Sequence, residues 1–264
     1  MKPLFNIRGF YFISLLAVLL GGSSCIKIDA TVSLKRDGSG TMRAMYAMPT
    51  SILKQMERTR QWVRVLDRAG GVTASPSKAR RDFSLLFDET ALKAEFKAME
   101  PDGVMIEPQS LRLREHGGWE YVDFSVRFTR LESLVKQPFF KDCGVRLTHS
   151  GESSCKLVVT LPPVRDGADL TGGTDNAVKL TPFLNGMRVV VRIDCPGELR
   201  TSNSLISDRY RATWEWDYGK DVQILERLAN EKMIAVFDAS QVRINDFEKR
   251  AENVPVSDNK APAK

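Results

Sequence analysis

Four cysteines and two histidines are the residues in this chain whose side chains could react most readily. A thiol can accept an acyl group, form a disulfide or ligate a metal. A histidine can serve as base or ligand. The histidines, His116 and His149, lie in different segments, and no CxxC occurs, so metal-ligand spacing is absent. His116 sits in the turn His116-Gly117-Gly118, and His149 in a turn-rich loop; both read as surface histidines. Ser150 beside His149 is no dyad, because sequence neighbours do not face each other as a nucleophile and its base must. Neither a GxSxG elbow nor a GxxxxGK[ST] phosphate loop is present. Asp166, Asp169 and Asp175 share a loop but lack the alternate spacing and final Glu of a calcium loop, so they read as solvated aspartates. Any two of the 33 acids could meet as a glycan-hydrolysing pair, yet nothing singles a pair out. The expectation is therefore no catalytic residue, no metal site and no cofactor, with an envelope hydrolase as a third-ranked reading.

Cys25 stands apart from the other thiols. Lys2 and Arg8 form a positive stretch, and Phe10 to Leu20 follows as an apolar run broken only by Ser14. Such a run fits a signal sequence, about 7–15 residues, and is shorter than the roughly 20 that span a bilayer. Gly22-Ser23-Ser24-Cys25 then resembles the lipobox of bacterial lipoproteins. Small residues beside the cleaved bond suit a lipoprotein signal peptidase, and the Cys25 thiol would receive diacylglycerol. Gly22 stands where Leu is usual, which leaves a non-lipidated signal cleaved nearby as the alternative. Residues 1–24 thus read as a signal peptide and Cys25 as the lipid attachment site. Two or three acyl chains anchor stably, at about 0.8 kcal/mol per buried CH₂. No second apolar run of spanning length follows, and Ile26, rather than Asp, favours the outer membrane by analogy with enteric sorting.

Export permits disulfides. Cys143 and Cys155 flank Thr148, Ser150, Gly151, Ser153 and Ser154, and the expected bridge joins them, contributing about 3 kcal/mol on the chain-entropy estimate. Cys195, before Pro196-Gly197, is then the unpaired thiol, or takes the place of one of the two.

The elements that position these residues alternate with period two. Ile26, Ile28, Ala30, Val32 and Leu34 share a face, Asp37-Gly38-Ser39-Gly40 turns the chain, and Met42, Ala44, Tyr46 and Met48 return, so residues 26–48 read as a hairpin starting at the anchor. Pro49 opens a helix with Ile52, Met56, Val63 and Leu66 on one face, ended by Gly70-Gly71. A short strand near 83–87 leads to Asp88 as N-cap of a second helix through Leu92, Phe96 and Met99, stopped by Pro101-Asp102-Gly103. Strands follow at Leu111–Leu113, Val122–Phe128, Leu157–Leu161, Met187–Ile193, Ala212–Tyr218 and Met233–Phe237. A short helix is expected at Leu131–Val135 and a third amphipathic helix at Val222, Leu225 and Leu228. The expected fold is α+β: a mostly antiparallel, curved sheet with about three helices on one face. Residues 25–247 read as one extracytoplasmic domain, or two packed lobes meeting near 138–154, and residues 248–264 as a disordered polar tail.

The alternating aromatics Trp214, Trp216 and Tyr218 read foremost as the inner face of a core strand, and alternatively as a ligand-facing row for an acyl chain or a sugar. The composition, 42% hydrophobic and 27% charged over 264 residues, excludes disordered, collagen-like and multi-span chains. The net charge of +6 comes from basic residues scattered singly, unlike a nucleic-acid-binding arm, so no nucleic-acid partner is expected.

Three features together resemble the LppM-type family of bacterial lipoprotein domains: Cys25 running into strand Ile26–Leu34 and its turn; Pro196-Gly197 followed by Ser202-Asn203; and Ala212-Thr213-Trp214-Glu215-Trp216 with a helix behind it. The resemblance implies an extracytoplasmic α/β domain with no catalytic residues to carry over, and recognition of lipid or glycolipid. The chain departs in lacking a C-terminal membrane segment and in its long middle, Ile52 to Leu161. The leading expectation is a lipid-anchored, non-enzymatic binding module for a lipid, glycolipid or envelope protein. A structural subunit of an envelope assembly is the alternative.

Overall fold

A computed structural model describes residues 26–55, 57–58, 86–140, 143–150, 153–161, 186–221, 223–224, 227–228 and 231–249. Residues 50–55 and 57–58 are helical, where a helix after Pro49 was expected; the rest of that helix to Gly70, Cys25, the aspartates 166, 169 and 175, and residues 250–264 lie outside the described residues. No helix among the described residues is long and apolar enough to cross a membrane.

The opening hairpin forms as the alternation indicates. β1 (Lys27–Leu34) pairs antiparallel with β2 (Gly40–Pro49), Leu34 opposite Gly40. Gly38 has φ 83°, which only glycine adopts without strain, and Lys35 N–H donates to Ser39 O at 2.8 Å to close the turn. Gly40 is required for space, since a Cβ there would lie 2.1 Å from Ser33 O and 2.5 Å from a Phe128 ring carbon.

β2 continues into β5 (Trp119–Phe128), whose far edge is shared by β3 (Val104–Ile106) and β4 (Arg112–His116). On the other side β1 pairs with β8 (Arg188–Asp194), and β8 with β11 (Arg211–Asp217), which carries the edge strand β10 (Ile206–Ser207). A second sheet runs β13-β6-β7-β12-β9: Phe247–Lys249, Gly144–Ser150, Ser154–Thr160, Lys232–Asp238 and Leu199–Ser202.

This overturns the α+β expectation of a mostly antiparallel, curved sheet with about three helices on one face. Among the described residues the protein is mostly β, with sheets of eight and five strands. The larger sheet is mixed because β1 and β8 run parallel, Lys27 opposite Arg188 through Ser33 opposite Asp194. The helices are short. α1 (Glu89–Met99) is capped by Asp88, which accepts from Ala91 N–H at 2.9 Å, and the following turn ends at Gly103 with φ 81°. It buries Leu92, Phe96 and Met99, with Phe96 against Phe124 at 5.0 Å between ring centres. α2 (Leu131–Val135) lies where it was expected. Of the expected strand near 83–87, the described residues 86–87 are a 3-10 turn.

The chain passes back and forth between the sheets after β7, so they are not two successive lobes. One core cluster takes Ala212, Trp214 and Trp216 from the large sheet and Met233, Ala235 and Phe237 from the small one. Glu248 and Lys249, expected in the tail, are strand residues: they pair with Arg146 and Val145, and Lys249 Nζ donates to Phe140 O at 2.6 Å.

The expected Cys143–Cys155 disulfide is absent, and the β6–β7 register explains why. Cys155 lies opposite His149, beside the turn, whereas Gly144, next to Cys143, lies opposite Thr160. Some six residues of strand separate the two, roughly 20 Å at about 3.3 Å per residue. A disulfide needs Cα atoms within about 7 Å. No disulfide joins Cys143, Cys155 or Cys195, all three of which are buried.

Candidate functional site

The aromatic row expected as a candidate ligand surface is buried. Trp214, Trp216 and Tyr218 keep 2%, 1% and 4% of their surface exposed. Their polar atoms are used internally: Trp214 Nε1–H donates to Asn203 Oδ1 at 3.1 Å and Trp216 Nε1–H to Glu231 Oε2 at 3.0 Å. They lie as the core-strand reading of their alternation has them. His116 is exposed at the end of β4, and His149 pairs through Nδ1 with Asp246 Oδ1 at 2.6 Å. That contact and the His149 N–H hold the Asp246 carboxyl below its ordinary value. Among the described residues, no three His, Cys, Asp or Glu side chains converge as a metal site.

The outer face of the large sheet is polar but self-paired. Asp29 pairs with Arg192, Glu215 with Arg188 at 3.1 Å and with Lys220 at 3.1 Å, and Asp194 accepts from Arg211 Nη2 at 3.1 Å and Ser33 Oγ at 2.7 Å. Burial pushes Asp194 up, but the hydrogen bonds from Arg211 and Ser33 and the charges of Arg211 and Arg192 outweigh it and hold the carboxyl low. The two carboxylates of this lattice with resolved shifts, Asp194 and Glu215, are both held ionised, which suits structure rather than acid–base work.

An open concavity among the described residues lies elsewhere, at the end of β1. A cleft of about 870 Å³ is lined by the β1–β2 turn, by Cys195 and Pro196 leaving β8, and by residues 240–243 after β12. Three strands from two sheets end there, and the turn and the loop are tied by Arg243 N–H donating to Arg36 O at 2.6 Å, while Ile244 packs on Gly38. Lys35, Arg36 and Arg243 bring positive charge, and all three are exposed. The one carboxylate in the lining, Asp37, accepts from Ser39 Oγ at 2.7 Å and Ser39 N at 3.0 Å, which holds it below its ordinary value. Leu34, Pro196 and Val242 supply apolar wall.

In this lining the Ser240 hydroxyl donates to Asp238 Oδ2 at 2.8 Å, and Cys195, the only thiol, is 6% exposed. Burial first, then Asp194 and the Cys155 thiol, push its pKa up to about 12, so the sulfur stays protonated and weakly nucleophilic. The cleft can therefore hold an anionic group against cations beside an apolar wall.

Beside the cleft, Cys195 N–H donates to Tyr210 O at 2.7 Å, and this leads to an exposed apolar tip: Leu205, Ile206 and Tyr210 are 72%, 59% and 47% exposed. Sequence reasoning missed both cleft and tip. The apolar pair Leu205-Ile206 inside a polar turn was the one available signal.

The fold and site together define a two-sheet β domain with a basic cleft at one end. No protein-family model matches the chain, and no curated protein matches it. Among solved structures it is similar to the folded domain of the LppM protein of Mycobacterium tuberculosis, determined by NMR. The identity is 12%, the TM-score 0.37, and the match covers 82% of this chain and 91% of that one. No residue role is carried over from it.

Proposed function

We propose that this chain is a lipid-anchored extracytoplasmic protein that binds an anionic amphiphile, a lipid or glycolipid, and does not transform it. The observation that supports this is the polarity of β1. The chain enters the domain at Ile26, beside Lys27, and the cleft begins at Leu34. Eight strand residues at about 3.3 Å each put roughly 25 Å between the two. An acylated Cys25 would hold the Ile26 end at the bilayer and turn Lys35, Arg36 and Arg243 away from it. Cations beside the apolar wall of Leu34, Pro196 and Val242 suit a ligand with a charged head and a greasy body. Ile26 after the cysteine fits placement in the outer membrane.

Native mass spectrometry of the full chain after gentle detergent extraction tests the ligand. Bound lipid that is lost in Arg36→Glu/Arg243→Glu supports the reading; a ligand-free wild type, or lipid retained in that variant, refutes it. Cys25→Ser should move the protein from the membrane fraction to the soluble one, and continued membrane association would remove the anchor from the proposal.

A second reading, a subunit of an envelope assembly, is favoured by one observation. β10 pairs only with β11 among the described residues, and it exposes Ile206 beside Leu205, an edge another protein could extend. Stoichiometric co-purifying protein, lost with Leu205→Lys/Ile206→Lys, would select it.

A further inference from the structure

Cys195 lies in the four-residue crossover between β8 of the large sheet and β9 of the small one, and Cys155 lies on β7 of the small sheet. The small-sheet ladder fixes what lies between them. Cys155 is in register with Phe237 of β12, and Phe237 with Leu199 of β9. One residue along, Ser154 is opposite Asp238, and Asp238 N–H donates to Glu198 O at 2.8 Å. Gly197 lies flat on Asp238, so close that a Cβ would fall 2.0 Å from its carbonyl oxygen. The crossover carrying Cys195 is thus pressed onto the strand that neighbours Cys155. Both side chains belong to the same core cluster, at 0% and 6% exposure. Cys143 does not belong to that cluster and sits at the opposite end of the β6–β7 hairpin.

We propose that Cys155 and Cys195 are a disulfide pair that covalently joins the small sheet to the crossover leaving the large one. The Cys155 thiol is near enough to raise that of Cys195, which agrees with this placement. The step is a thiol–disulfide exchange with a low-molecular-weight disulfide or an oxidoreductase disulfide as oxidant. One protein thiolate attacks a donor sulfur and expels the first donor thiolate. The second protein thiolate then attacks the mixed disulfide at the protein sulfur and expels the other. The protein loses two protons and two electrons, which the donor takes up in leaving as two thiols.

Burial keeps both thiols protonated in the closed fold, with Cys155 pushed up to about 11 and Cys195 to about 12. Exchange should therefore be fast while the sheets assemble and slow once they have closed.

The full chain, reduced and unfolded, is refolded in a mixture of reduced and oxidised glutathione, blocked with iodoacetamide and mapped by mass spectrometry without reduction. The expected result is a Cys155–Cys195 cross-linked peptide pair, two hydrogens lighter than its parts, with Cys143 alkylated. Alkylation of Cys143, Cys155 and Cys195 alike, or a dominant bridge through Cys143 or Cys25, would overturn the proposal. Cys143→Ser should keep the bridge, and its loss there would also overturn it. The folded, reduced protein should acquire the same bridge more slowly than the refolding chain, and equal rates would contradict the buried pairing.

Discussion

Replacing Gly197 by alanine tests whether the two sheets are held together where the crossover meets β12. The Cβ would sit 2.0 Å from Asp238 O and 2.9 Å from Asp238 C, inside the 3.0 Å that real Cβ contacts respect. About 1 Å of separation must be found, and both sides are backbone. The crossover cannot move without stretching the Asp238 N–H to Glu198 O bond of 2.8 Å, and Asp238 cannot retreat because Ala239 N–H donates to Ser153 O at 3.0 Å behind it. Overpacking costs about 1–3 kcal/mol, and one weakened backbone hydrogen bond about 1 more, so the variant should lose roughly 2–4 kcal/mol. Urea unfolding followed by tryptophan fluorescence reads this directly, because Trp214 and Trp216 are buried and report their exposure. Gly117→Ala is the control: φ is 58° but nothing lies within 4 Å, so only the backbone preference is lost, about 1 kcal/mol. If Gly197→Ala unfolds within about 0.5 kcal/mol of wild type, or no more easily than Gly117→Ala, the crossover is not pinned as described.

Asn203 clips β11 to β12, accepting from Trp214 Nε1–H and from Ile234 N–H at 2.8 Å and donating to Lys232 O at 2.6 Å; Asn203→Ala should cost about 2–3 kcal/mol and speed amide exchange at Ile234, and an unchanged exchange rate there would refute the clip. Because Asp194 is held below its ordinary 3.8 in the folded state, it stabilises the fold above that value, and the contribution disappears as pH falls through its lowered pKa. Asp194→Asn should therefore flatten the acid limb of the stability profile, measured by urea midpoints between about pH 5 and pH 2, and an acid limb as steep as that of wild type would remove Asp194 from the account. Bridging Cys155 to Cys195 closes a loop of about 40 residues, worth about 4 kcal/mol on the chain-entropy estimate, so the oxidised protein should resist urea by that margin over the reduced one, and equal midpoints would count against the cross-link as a stabilising element.

Much of the local structure was legible in the sequence because it depends on near neighbours. Period-two alternation located β1, β2, β5, β7, β8, β11 and β12, and glycines marked the turns at 37–40 and 116–118. Asp88 and Gly103 bounded α1 through groups three or four residues away. The short edge strands β3, β9, β10 and β13 carried too few residues to show a period, whereas Pro49, the last residue of β2, is followed directly by helix from Thr50, as the proline indicated.

Cys25 and the run before it are a reading of the sequence alone. So is the identity of each inward-facing strand side, since alternation is written residue by residue. Which strand lies beside which is another matter: a half-buried strand satisfies its backbone equally well with any partner of matching face, and only the whole chain's packing selects one. That selection placed β8 parallel to β1 across 161 residues, carried Cys143 away from Cys155 and brought Cys195 toward it, and gathered Lys35, Arg36 and Arg243 from distant segments around one cleft.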